Sequence, residues 1–133
     1  MTYLLTAGVA PQWLAEQAAK GIDVGPRNES QKIAASIQKM QEDFKQFNSL
    51  VLEGIMLRPG DDASWQDFLT LLKKRKWDGI TLGGGVRTTP FLSDYFTELI
   101  AATTREQPQA TLLFPLLPED IAPAIKKHMP TVD

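Results

Sequence analysis

Cysteine is absent from the chain. That excludes disulfides, thiolate nucleophiles and cysteine-ligated zinc or iron–sulfur centres together, and it fits a cytoplasmic location. Histidine occurs once, as His128 near the C-terminus, so no histidine set stands ready for a metal, and neither a metal nor a cofactor is expected. No apolar run approaches the ~18 residues of a membrane span. No basic segment precedes a long apolar stretch at the N-terminus, so no signal peptide is expected. An excess of positive charge is also lacking: the net charge of −2 argues against nucleic acid as a partner, since such binding depends on neutralising many phosphates. There is no internal repeat and no low-complexity segment.

What remains is an ordinary globular composition, 43% hydrophobic and 23% charged over 133 residues, long enough to bury one real core. A single α/β domain spanning residues 1–133 is expected. The run YLLT at positions 3–6 reads as a strand closed by Ala7-Gly8-Val9-Ala10-Pro11. Pro11 can open a helix to position 20 with Trp13, Leu14 and Ala18 inward and Gly21 as its stop. Positions 21–27, with two glycines and a proline, read as a loop. Asn28 and Gln31 match a capping box for a long helix, along which Ile33, Ile37, Met40, Phe44 and Phe47 form one apolar stripe. LVLEGIML at 50–57 reads as a strand, and Glu53 and Gly54 make it an edge strand. A turn at 58–62 leads to a helix over 64–76, with Ser64 as N-cap, Trp65, Phe68, Leu69 and Leu72 on one side, and a basic end. A short buried strand over 78–82 then runs into Gly83-Gly84-Gly85-Val86-Arg87. Thr89 is expected to cap a helix beginning at Pro90, whose rows Phe91-Tyr95-Leu99 and Leu92-Phe96-Ile100 make a broad apolar face. A fourth strand at 110–114 ends at Pro115 and Pro118. Asp120 is the expected N-cap of a last helix docked by Ile121, Ala124, Ile125 and His128, with a frayed tail from Pro130.

Four alternations of strand and helix predict a parallel sheet covered on both faces. The expected architecture is a three-layer α/β/α sandwich, Rossmann-like or flavodoxin-like, with strand order 2-1-3-4. In such sheets a ligand sits beyond the carboxyl ends of the strands where the winding reverses. Here the reversal falls between strands 1 and 3, which brings Thr6 and Gly8 against Gly83, Gly84, Gly85, Arg87, Thr88 and Thr89. Glycines with positive φ, the free N–H groups of a helix start and the Arg87 fork would together cradle an anion such as a phosphate, a carboxylate or a nucleotide-like group. The competing reading is a tight strand-to-helix turn in which the glycines relieve crowding and Arg87 pairs with a nearby acid.

Known phosphate motifs do not fit. No Gly-Lys-Ser/Thr closes a P-loop, and Thr88 stands where the dinucleotide fingerprint needs its third glycine. The loops TAGVAP and GGGVRT lack the acids of a phospho-receiver domain, and the first offers only Thr6 to a flavin phosphate. No serine lies in a nucleophile elbow. Asp61 and Asp62 share the rim of the glycine turn as conceivable base or metal ligands, although capping the next helix suits them as well. The stretches DGITLGGGVR, FLSDYFTELI and QPQATLLFPLLPED resemble a group of small uncharacterised α/β proteins of bacteria and fungi that share an Asp-x-hydrophobic-Gly-x-Gly-hydrophobic-Arg turn. The resemblance covers residues 50–127 and, more weakly, the first strand. It implies a Rossmann-like or flavodoxin-like fold and supplies no activity. Pro115 stands where the group carries asparagine, and Arg58 where it carries an acid. The leading expectation is a small-molecule binding protein. The alternatives are a homodimeric interaction module and a small hydrolase or isomerase using Asp61 or Asp62 with Arg87.

Overall fold

The structure of the chain, a computed structural model, describes residues 1–25 and 30–133. Four strands, β1 (Thr2–Val9), β2 (Leu50–Leu57), β3 (Gly79–Leu82) and β4 (Thr111–Leu113), form one all-parallel sheet in the order β2-β1-β3-β4. Six helices among the described residues connect and cover it: α1 (Pro11–Ala19), α2 (Ser30–Asp43), α3 (Asp62–Lys74), α4 (Gly84–Thr88), α5 (Ser93–Glu106) and α6 (Ile121–His128). This is the α/β/α sandwich of the Rossmann and flavodoxin type. None of the described helices is long and apolar enough to cross a membrane. The capping box at Asn28 and Gln31 and the end of the 21–27 loop lie outside the described residues.

Both faces of the sheet follow from alternation along the strands. Leu5, Ala7, Val9, Leu57, Ile80 and Leu82 point to one side and join Phe68 and Leu72 of α3 and Leu99 and Ala102 of α5 in one core. Leu4 and Leu113 point to the other side and meet Met40 of α2 and Ile121 and Ile125 of α6. β3 is buried along its whole length, as a central parallel strand requires. β2 takes the edge, where Glu53 pairs with Lys74 at 2.9 Å and Arg75 at 3.1 Å. Arg75 also lies over the Tyr3 ring, 4.6 Å from its centroid.

Several boundaries move, each for a local reason. β1 does not stop at Gly8. It continues to Val9 because β2 pairs with it throughout, Gly8 opposite Met56 and Val9 opposite Leu57. α3 begins earlier than Ser64: the Asp61 carboxylate accepts from the Ala63 N–H at 3.0 Å and caps it, while the Ser64 hydroxyl accepts from the Arg58 N–H. α1 ends as expected at Gly21, whose φ of 82° continues the chain out of the helix. Asp120 caps no helix N–H directly. Its carboxylate holds the Leu117 N–H at 3.0 Å across a short 3-10 turn before α6. The C-terminal tail is tied down, since the Asp133 carbonyl accepts from the Asn48 and Ser49 N–H groups and Val132 packs on the second cluster.

One polar hub has no sequence signal. Gln107, buried at the end of α5, donates to the Leu72 and Arg75 carbonyls at 2.6 and 2.8 Å and accepts from the Trp77 N–H at 3.0 Å. It thereby satisfies the last turn of α3 and the entry to β3 with one side chain.

Candidate functional site

On the α2 side of the sheet the strands change character halfway along. β1 runs Leu4-Thr6-Gly8 on this face, β2 runs Leu52-Gly54-Met56, and β3 runs Gly79-Thr81 before Gly83. The carboxyl half of the face therefore carries glycine and threonine on β1 and β3, and Gly54 before Met56 on β2. α2 crosses above it with Ile33, Ile37 and Met40, and the segment Pro115, Leu116 and Pro118 after β4 closes one side. Small side chains below and a helix held off by its own apolar stripe leave a gap. The result is a cavity of about 70 Å³, lined chiefly by apolar groups. It occupies the β1/β3 reversal, the place that the strand order assigns to a ligand.

The expected site residues divide into two sets. Thr6, Gly8, Gly83, Gly84 and Gly85 line this cavity, whereas Arg87, Thr88 and Thr89 do not. The anion cradle is not assembled. Positive φ occurs among the described residues at Gly21, Gly25 and Gly60 only, so the glycine run does not form an N–H nest. Gly83 is extended, with φ −66° and ψ 159°, and its N–H is taken by the Ala7 carbonyl at 2.8 Å. Gly84 and Gly85 open the five-residue helix α4. The need for glycine is a close approach by the protein's own chain, because a Cβ on Gly84 would overlap the Leu116 carbonyl. Arg87 is exposed and donates to the Phe114 carbonyl at 2.8 Å, tying α4 to the end of β4. Thr89 does not cap the next helix. It is the C-cap of α4, its hydroxyl donates back to the Gly85 carbonyl, and α5 starts only at Ser93.

Two threonines line the cavity side by side. Thr6 and Thr81 are register partners on β1 and β3. Thr6 reaches the Glu53 carbonyl at 3.5 Å, the outer limit for a hydrogen bond. Glycine at 54 makes room for it, since a Cβ there would lie 2.8 Å from the Thr6 oxygen. Among the described residues no acidic or basic side chain lines the cavity.

The other candidates are engaged elsewhere. Asp61 caps α3 and, with Asp62, Trp65, Tyr95 and Glu98, borders a separate shallow depression that does not include Arg87. Arg58 bonds Glu16 at 2.6 Å and joins the β2 exit to α1. His128 is exposed at the end of α6, beside a groove along the β4 edge, and does not dock the helix. Among the described residues no group of three or more potential ligands stands close enough to hold a metal. The residues that sequence reasoning passed over are the roof of the cavity, Ile33, Ile37 and Met40, its side wall at Leu116, and Thr81 in its floor. Their signal was available in the strands, as small residues at every second position on one face only.

No protein-family profile, no curated protein and no solved structure matches the chain. The functional reading rests on this geometry.

Proposed function

We propose that the protein binds a small molecule in the cavity between α2 and the carboxyl ends of β1 and β3. One observation carries this reading. At the point of topological reversal, three neighbouring strands present glycine and threonine under an apolar helix, while the opposite face of the same strands is filled. Leaving such a gap forfeits packing contacts, and a ligand restores them. The apolar lining favours apolar surface on the ligand over a phosphate. An anionic ligand has weaker support, since Arg87 lies outside the lining and the Gly83 N–H is already bonded.

A thermal-shift screen of small alcohols, ketones, aromatics, carboxylates, phosphates and nucleotides tests the reading, because a ligand for the folded state stabilises by RT ln(1 + [L]/Kd). The comparison protein is Gly8→Val. A Cβ at Gly8 meets nothing within 4 Å, so the added methyl groups enter the cavity instead of striking a neighbour. A hit on the wild type that vanishes in Gly8→Val supports the site. Absence of any hit, or a shift undiminished by Gly8→Val, defeats it.

Self-association is the second reading. β2 is an eight-residue edge strand on which Leu52 and Met56 are 36% and 50% exposed, and an open edge invites pairing with another chain. Light scattering over a concentration series decides it, and a constant monomer mass rules it out.

A further inference from the structure

The cavity also carries information about what it would hold, and this inference rests on the reading of it as a ligand site. Thr81 is 1% exposed, and its hydroxyl makes no hydrogen bond to any described residue. Two other hydroxyls without a partner belong to Tyr95 and Thr103, neither of which lines this cavity. Thr81 differs in bordering the cavity. A buried hydroxyl without a partner costs stability, and such groups are rare unless a water or a ligand completes them. Its register partner Thr6 stands at the same level of the floor, and its hydroxyl reaches the Glu53 carbonyl only at 3.5 Å, a bond weak enough to be exchanged for a ligand's.

Charge and size narrow the choice. With no acidic or basic side chain among the described residues of the lining, an ion entering the cavity would lose its hydration without a counter-charge from them, which is strongly unfavourable. The volume of about 70 Å³ is roughly half that of an apolar cavity of about 150 Å³ that accepts benzene. Only a group of about four non-hydrogen atoms enters fully. The rim is apolar and open, with Met56 50% and Leu116 40% exposed, so a longer molecule can continue outward over them.

We infer that the cavity takes a small, uncharged, mostly apolar molecule with one hydrogen-bonding oxygen, a short branched alcohol or ketone in chemical class, and that this oxygen is met by the Thr81 and Thr6 hydroxyls. The two hydroxyls set the ligand's orientation, and Ile33, Ile37 and Met40 close over its carbons.

The test is an NMR titration of the protein with 2-butanol, 2-butanone, 2-chlorobutane, butyrate and inorganic phosphate. The chloride matches the alcohol in shape and lacks its hydrogen bond. Expected are shifts confined to cavity residues and an affinity for the alcohol or ketone about tenfold above that for the chloride. Thr81→Val should erase that preference, and Thr81→Ser should keep it. Equal binding of alcohol and chloride by the wild type, or a preference that survives Thr81→Val, overturns the inference and leaves the cavity as a binding site. Tighter binding of butyrate or phosphate overturns the uncharged class. No binding of any probe overturns both the inference and the site. If Thr81→Val does not fold, the wild-type alcohol-to-chloride ratio still decides between these outcomes.

Discussion

The two faces of the sheet use the same strands to opposite ends. On the α3 and α5 side, Leu5, Ile80, Leu82 and Leu57 meet Phe68, Leu72 and Leu99, and all seven are completely buried. On the α2 and α6 side only the amino half is filled, by Leu4, Leu113, Ile121, Ile125 and Met40. The carboxyl half holds Thr6, Gly8, Thr81 and Gly83 below the cavity. Each strand thus alternates a packing residue with a space-making one. The difference teaches where packing is complete in this molecule and where it is not. One layer of side chains holds the fold, and the other is released from that duty over half its area. Because the cavity floor is backbone and small side chains, its shape is fixed by the hydrogen-bonded sheet.

The largest test of the contrast removes bulk from each side in turn. Phe68→Ala leaves a cavity in the filled layer and should cost about 3–5 kcal/mol in urea denaturation. Ile37→Ala removes a half-buried side chain that already borders a void and should cost about 1 kcal/mol, since little new cavity surface is created. Equal costs would mean that the two layers are packed alike. A smaller contrast adds a methyl group. Gly84→Ala drives a Cβ into the Leu116 carbonyl and should lose about 1–3 kcal/mol, as overpacking does. Gly8→Ala points into open space and should be neutral or gain a few tenths of a kcal/mol, because glycine is a poor strand residue. If Gly8→Ala destabilises as much as Gly84→Ala, the space above Gly8 is not there.

The strand order was legible because it follows from alternation, and the edge position of β2 because Glu53 and Gly54 break its apolar run. The place of the winding reversal, where the cavity lies, was legible for the same reason, since order fixes it. The expected positive φ at the glycine run is not found. Glycine serves both a positive φ and a close approach, and the residue that approaches Gly84 is Leu116, far along the chain. No local pattern reports such a contact. Thr89 failed similarly: a threonine before a proline can cap a helix start, yet its hydroxyl bonds backward to Gly85 and ends one. The α2 stripe was read as core, which holds for Ile33 and Met40 as burial, but whether a buried side chain covers protein or a void depends on what lies opposite. That was visible only in the paired smallness of Thr6, Gly8, Thr81 and Gly83.

The smallest effect sharpens the contrast through its orphan hydroxyls. Thr81 faces space that a ligand can fill. Tyr95, on α5, instead places its hydroxyl among packed side chains with no partner, its ring 6.0 Å from that of Trp65. Burial, and after it the charge of Glu98, pushes the Tyr95 phenol up to about 12 from an ordinary value of 10.0. The folded state therefore keeps this proton where the unfolded chain releases it. The associated stability is fully present below pH 10 and is lost as pH rises from 10 towards 12, because the unfolded state there binds fewer protons. With allowance for solvent screening the loss is about 1–2 kcal/mol. Tyr95→Phe should flatten the stability profile over that interval. At pH 7 it should be as stable as the wild type or slightly more so, since it deletes an unsatisfied buried group. Denaturation midpoints of the two proteins from pH 8 to 12 check this. A Tyr95→Phe protein that is clearly weaker at pH 7 would show that the hydroxyl has a partner.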